Sequence, residues 1–351
     1  MKYAVVCISL VFVIFPPSTD PRPAFGDSYA LVKKPLFRSV RFVDDKHSWI
    51  AGYKGVFHSS DGGRTWRPQS VTVASLTPRE GQIVVQNIGM IAQADQDSCI
   101  VRTEKGLVAG RGSPRQWTTV SRTLPDSERV WSAMFQNPER GWAVVFALPG
   151  SVLYGTTNGG LDWERQYKTF EVLHSVFAVS QSDVWAVGSE GKAVHTTDGG
   201  QTWKEVVIAS GRANDGYLSD LHAVSFVSRM TGWISGLPGT ILRTTDGGNE
   251  WIKQDSGFSK RTGFSAISFA DENEGWVVGT RYNIENTEPP KERLEAIILH
   301  TSDGGLHWEK QPIQLEERLL DVQALSNGRA WVVGEDGTCS KQWITARSGL
   351  L

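Results

Sequence analysis

The chain has 351 residues, 40% of them hydrophobic, with 36 glycines, 14 tryptophans and a formal net charge of −2. That length suits one large all-β domain or two ordinary ones, and the small charge excludes a global field drawing the protein to nucleic acid or an anionic membrane. Aromatic and turn-forming residues are spread evenly, as in a chain of many short strands.

Met1-Lys2 is a short basic start, and the uncharged run Tyr3 to Phe15 ends at Pro16-Pro17. A bilayer-spanning helix needs about 18 or more apolar residues, so this run reads as a signal peptide over residues 1–26, cleaved after Gly26. No later run is long enough to span a membrane. Residues 27–351 are expected to form one domain. Cys7 lies in the signal, which leaves Cys99 and Cys339.

From residue 37 onward one unit recurs. A Trp-x-x-Gly phrase stands at Trp49, Trp185, Trp233, Trp276 and Trp331, with a near match at Trp142 and a copy without tryptophan at Ser98. The steps are about 43 to 55 residues, close to the roughly 40–50 of propeller blades. In each copy an alternating strand such as "HAVSFVS" (222–228) precedes the Trp strand. A third strand such as "GTILRTT" follows, then an Asp-Gly-Gly turn and a last strand. Four strands with tight turns make one antiparallel meander. The expected fold is therefore all-β: a seven-bladed β-propeller of four-stranded antiparallel blades. The last copy lacks a fourth strand, so Tyr29 to Lys34 is expected to supply it and close the ring. Cys99 and Cys339 would then lie two blades apart, beyond the roughly 7 Å Cα reach of a disulfide.

The Asp-Gly-Gly phrase occurs as "SSDGGRTW", "TTNGGLDW", "TTDGGQTW", "TTDGGNEW" and "TSDGGLHW". Asp61, Asp198, Asp246 and Asp303 can accept bonds from turn N–H groups ahead of them. Asn158 keeps the acceptor oxygen and drops the charge, which a catalytic carboxylate could not survive. Trp66, Trp163, Trp203, Trp251 and Trp308 would cover the turns. The five phrases read as architecture.

These phrases resemble the Asp box, or BNR repeat, of bacterial sialidases. The whole repeat, from about Phe37 to Trp343, more closely resembles the photosystem II stability/assembly factor family and its bacterial relatives. The resemblance implies an exported, non-catalytic propeller that binds a protein partner. It would be periplasmic or extracellular, or lumenal in a photosynthetic host. A sialidase would need an arginine trio and an early Phe/Tyr-Arg-Ile-Pro; here Phe37-Arg38 matches but Ser39-Val40 does not. The alternative is a secreted carbohydrate-active protein, either a sialidase-like hydrolase or a glycan binder.

No cofactor or metal is expected: no Cys/His cluster has zinc spacing, and no Gly-rich phosphate loop opens a helix. His58, His195 and His300 precede the box, with Arg102 and Arg243 expected at the same place in two other blades. Insertions on one face of a repeat protein often bind partners. Two are long, 210–221 and 280–296. They nominate Arg212, Asp215, Tyr217, Arg281, Tyr282, Lys291 and Arg293, with Lys260 and Arg261 between them, as a protein-binding patch on a monomer.

Overall fold

The computed structural model describes residues 36–343 apart from 54, 75–81, 85–87, 95, 97, 104–105, 112–115, 120–123, 125–128, 209–218, 259–260, 286–290, 326–327 and 336–338. The first blade pairs β1 (Phe37–Phe42), β2 (Ser48–Gly52), β3 (Gly55–Ser59) and β4 (Arg67–Gln69) in that order. A small hairpin, β5 (Thr72–Ala74) and β6 (Gln82–Val84), lies on the way to the second. That blade is β7 (Ile88–Ala94), β8 (Cys99–Thr103), β9 (Gly106–Arg111) and β10 (Gln116–Thr119). The third is β11 (Arg129–Phe135), β12 (Gly141–Ala147), β13 (Gly150–Thr156) and β14 (Glu164–Thr169). The fourth is β15 (Leu173–Ala178), β16 (Val184–Gly188), β17 (Ala193–Thr196) and β18 (Lys204–Glu205). The fifth is β19 (Asp220–Phe226), β20 (Gly232–Leu237), β21 (Thr240–Thr244) and β22 (Ile252–Lys253). The sixth is β23 (Thr262–Phe269), β24 (Gly275–Glu285), β25 (Lys291–Thr301) and β26 (Glu309–Lys310).

The last sheet corrects the sequence expectation. It has three strands, β27 (Leu319–Leu325), β28 (Arg329–Gly334) and β29 (Cys339–Trp343). The described residues thus form six four-stranded blades, not seven, with a three-stranded sheet between the sixth and the first. The proposed closing strand, Tyr29 to Lys34, and the signal peptide lie outside the described residues. Side chains of β27 make the closure. Asp321 Oδ2 accepts the Val40 N–H at 3.0 Å, and Gln323 takes the Phe42 N–H and donates to its carbonyl at 3.0 Å.

Burial follows from the repeat. The second strand of each blade packs on both faces, so Ser48–Gly52 and Val184–Gly188 are buried at every position. Each seam between neighbouring sheets holds its own apolar cluster, for example Trp185 and Val187 against Leu221, Val224 and Phe226. At three seams the tryptophan of the second strand stacks on a phenylalanine ending the next sheet's first strand. Trp185 meets Phe226 at 5.5 Å, and Trp233 meets Phe269 at 3.5 Å. Trp331 meets Phe42 at 5.1 Å across the closure.

Candidate functional site

Each Asp-Gly-Gly phrase joins the third strand to the fourth. The Thr196 hydroxyl donates to Asp198 Oδ1 at 2.7 Å and accepts the Gly200 N–H at 2.9 Å. Asp198 takes the Thr202 N–H at 2.9 Å and its hydroxyl at 2.5 Å. The set recurs at Asp61, Asp246 and Asp303. Asn158 keeps it, taking the Asp162 N–H at 2.9 Å through Oδ1. Both glycines have φ between +73° and +95°, which glycine tolerates. The first ties the turn to its own blade, as when the Gly199 N–H donates to Ser182 O at 2.8 Å.

These carboxylates are spent inside their turns. The hydrogen bonds from Thr202 hold Asp198 well below the usual carboxylate range. Burial tends to raise Asp303, but the His307 N–H and imidazole and the Thr301 hydroxyl outweigh it and hold it at about 2. Trp66, Trp163 and Trp251 are buried; Trp203 and Trp308 are half-buried. The Trp163 indole donates to Gly160 O at 2.8 Å.

The histidines beside the boxes are engaged as well. His195 reaches Asp183 at 2.8 Å and stacks on Trp185 at 4.0 Å; His300 reaches Glu274 at 2.9 Å. Arg243 lies over Trp233. Arg102 is not at the corresponding place: it sits on β8, a second strand, and donates to Val130 O at 3.0 Å. Among the described residues no group of three or more His, Cys, Asp or Glu is placed to hold a metal ion. Cys99 is buried.

The antiparallel order places the turns between second and third strands, and the blade-to-blade connections, on the face opposite the boxes. There the segment 280–296 is not an irregular loop. β24 and β25 continue pairing beyond the blade, from Thr280↔Ala296 to Glu285↔Lys291. This hairpin brings part of the nominated patch together. Arg281 faces Glu295 at 3.9 Å, and Arg293 Nε donates to Glu316 at 2.7 Å. The Tyr282 N–H donates to Arg261 O at 2.8 Å, and Arg318 covers the Tyr282 ring. Arg281 and Arg293 remain about half exposed. Lys291 lies on β25 by its backbone, while Arg212, Asp215, Tyr217 and Lys260 lie outside the described residues.

The same face carries a row of residues that sequence reasoning missed. The innermost strand of every sheet has a bulge near its start. The residues passed over are Arg38, Gly89, Trp131, His174, His222, Ser265 and Leu320. Bulges re-aim side chains and are common at functional rims. Leu320, Arg38 and Gly89 line a cavity of about 330 Å³ with Leu36 and Glu335. The Arg102 guanidinium fills the space a side chain on Gly89 would need. Trp131, His174 and His222 form a chain of rings, at 5.8 and 5.5 Å. Burial, followed by the charge of His222, pushes His174 down to about 4, so it is neutral at pH 7. Aligned first strands show this row as the residue after the leading apolar one, in "FRSV", "VWSA", "LHSV" and "LHAV".

The repeated turns and radial sheets define a β-propeller of the BNR/Asp-box type. The chain is related to the photosystem II assembly factors: residues 217–338 match the family described as "Photosynthesis system II assembly factor YCF48". No curated protein matches the chain. Among solved structures it is similar to YCF48 from Cyanidioschyzon merolae, with TM-score 0.62 and 17% identity, covering 90% of this chain and 97% of that one. It is also similar to a catalytically inactive virginiamycin B lyase from Staphylococcus aureus, with TM-score 0.64, 12% identity and coverage of 90% and 97%. A third is the extracellular domain of a putative one component system from B. thetaiotaomicron, with TM-score 0.61, 11% identity and coverage of 90% and 39%. At these identities the likeness is one of fold.

Proposed function

We propose that the chain is an exported, non-catalytic propeller that holds a protein partner on the face opposite its Asp boxes, as an assembly factor does. The observation that carries this reading is the β24–β25 hairpin, which carries Arg281, Tyr282 and Arg293 beyond the blade on paired strands. Arginine and tyrosine dominate interface hot spots, and a hairpin orients them without the ordering cost of a loose loop. The relation to the photosystem II assembly factors supports a partner that is itself a protein under assembly. The N-terminal run Tyr3 to Phe15 supports export. The ring mouth argues against the carbohydrate-active alternative. It brings in Arg38 and Arg102, while the next positions hold Trp131, His174, His222 and Ser265 rather than a third arginine.

The test is affinity capture from the native host, read by mass spectrometry, with wild type and with Arg281→Glu and Arg293→Glu. One protein should be captured by wild type and at least about tenfold less by either variant, with thermal midpoints unchanged. Because Arg293 pairs with Glu316, Arg293→Glu/Glu316→Arg serves as a charge-swap control. Undiminished capture by both single variants removes the hairpin from the interface.

A further inference from the structure

The third blade carries a feature that the hairpin patch does not use. Trp131 on the innermost strand is 47% exposed. Phe146 on β12 lies 6.5 Å from it. Leu148, at the turn between β12 and β13, is 85% exposed, and Phe170, just after β14, is 77% exposed. Gly150 on β13 packs directly against the Phe170 backbone. These four side chains cross one blade from the ring mouth to its outer edge, on the partner-binding face.

We infer that this strip is a second contact of the same face, one that takes a short, extended, uncharged segment of a protein partner with aromatic or branched apolar side chains. The inference deepens the partner-binding reading and rests on it for the word partner.

Size decides against a second copy of this chain. Four strands span about 14 Å, which an extended peptide crosses in four or five residues. The exposed parts of these side chains come to about 400–500 Å². A stable dimer buries about 800 Å² on each partner. Charge decides the chemistry. Glu171 and Lys192, at the outer end, are paired at 3.4 Å. At the inner end His174 is neutral and its Nε2 contacts the Ser189 hydroxyl at 2.9 Å. Trp131, Phe146, Leu148 and Phe170 themselves offer no counter-charge, so a charged segment laid over them would lose water without compensation from the strip. Trp131 is the anchor, because its bulge turns it out of the strand ladder.

The experiment uses a fluorescein-labelled, end-capped hexapeptide alternating serine with leucine or phenylalanine, and a second peptide with glutamate at the apolar positions. Anisotropy is read against the full chain. Wild type should bind the apolar peptide at least about tenfold more tightly than the acidic one. Trp131→Ala and Phe170→Ser should each weaken that binding about tenfold. Both side chains are exposed, so circular dichroism should report an unchanged fold. Arg281→Glu should bind the peptide as wild type does even where it loses the cellular partner, which separates the two readings. Equal binding by wild type and both strip variants overturns the inference, as does failure of wild type to bind. A wild-type dimer in sedimentation that Phe170→Ser dissolves would also overturn it, by identifying a second copy as the occupant.

Discussion

At the residue scale, the Asp-box hydroxyl matters more than the carboxylate charge. Thr196 is buried and its oxygen serves both the Gly200 N–H and Asp198. Thr196→Val keeps the shape but strands a buried N–H, which costs about 1–3 kcal/mol. A loss of a few degrees in thermal midpoint should follow. Asp198→Asn should leave the midpoint at pH 7 within a degree or two, because Asn158 already takes the box hydroxyl and the turn N–H through Oδ1 without charge. The two differ in acid. Asp198 and Asp303 have folded pKa values below their unfolded ones. Their contribution is therefore present above about pH 4 and lost as the pH falls through the folded values. Acid titration of midpoints should show a shallower decline below pH 4 for Asp198→Asn than for wild type. The sequence made these residues legible because the phrase recurs, and because one blade had already tried the neutral substitution.

At the element scale, the legible parts were those with a buried face. The second strands stood out because both faces are packed. The outer half of the β24–β25 hairpin did not, since "RYNIE" and "KERLE" carry no run of alternating apolar residues, and the segment read only as a long insertion. The inner-strand bulges were invisible in any single strand for another reason: register is a backbone property, and only the alignment of first strands marks the position. The second glycine of the box is a tertiary requirement as well as a turn requirement. A Cβ on Gly248 would overlap the ring of Trp185 from the preceding blade, and one on Gly63 would come within 2.5 Å of Trp331. Gly248→Ala should therefore lose about 2–5 kcal/mol, combining left-handed strain with overpacking. Gly257, with φ +70° and nothing within 4 Å of its would-be Cβ, is the matched control. Gly257→Ala should lose only the backbone part, about 1–2 kcal/mol. Chemical denaturation of the two variants measures the difference; equal losses would show that the blade-to-blade contact contributes nothing.

At the scale of the whole molecule, the ring must close where the chain has its ends. Other seams join first strands through hydroxyls: the Ile91, Val176 and Ala324 N–H groups donate to Ser39, Ser132 and Ser268. The closure seam uses Asp321 and Gln323 instead, and Asp321 also takes the Arg41 guanidinium at 2.9 Å. The sequence reading placed Tyr29 to Lys34 as an outer strand of the last sheet, because open edges are a liability, and that segment lies outside the described residues. Polar side chains that mimic a strand's donors and acceptors leave no periodic signal. This seam joins residues about 280 apart in the chain, so opening it releases β1 without unfolding the sheets between. Asp321→Ala/Gln323→Leu strands the Val40 and Phe42 N–H groups at a seam where Val40 is fully buried. Amide exchange at Val40 and Phe42 should rise at least tenfold in the double variant, since about 1.4 kcal/mol of lost protection suffices for that. Exchange at Ala186 and Val187 on β16, in the fourth blade, should stay as in wild type. A uniform rise across all blades would mean that the ring opens only by global unfolding, and the closure would then be no weaker than any other seam.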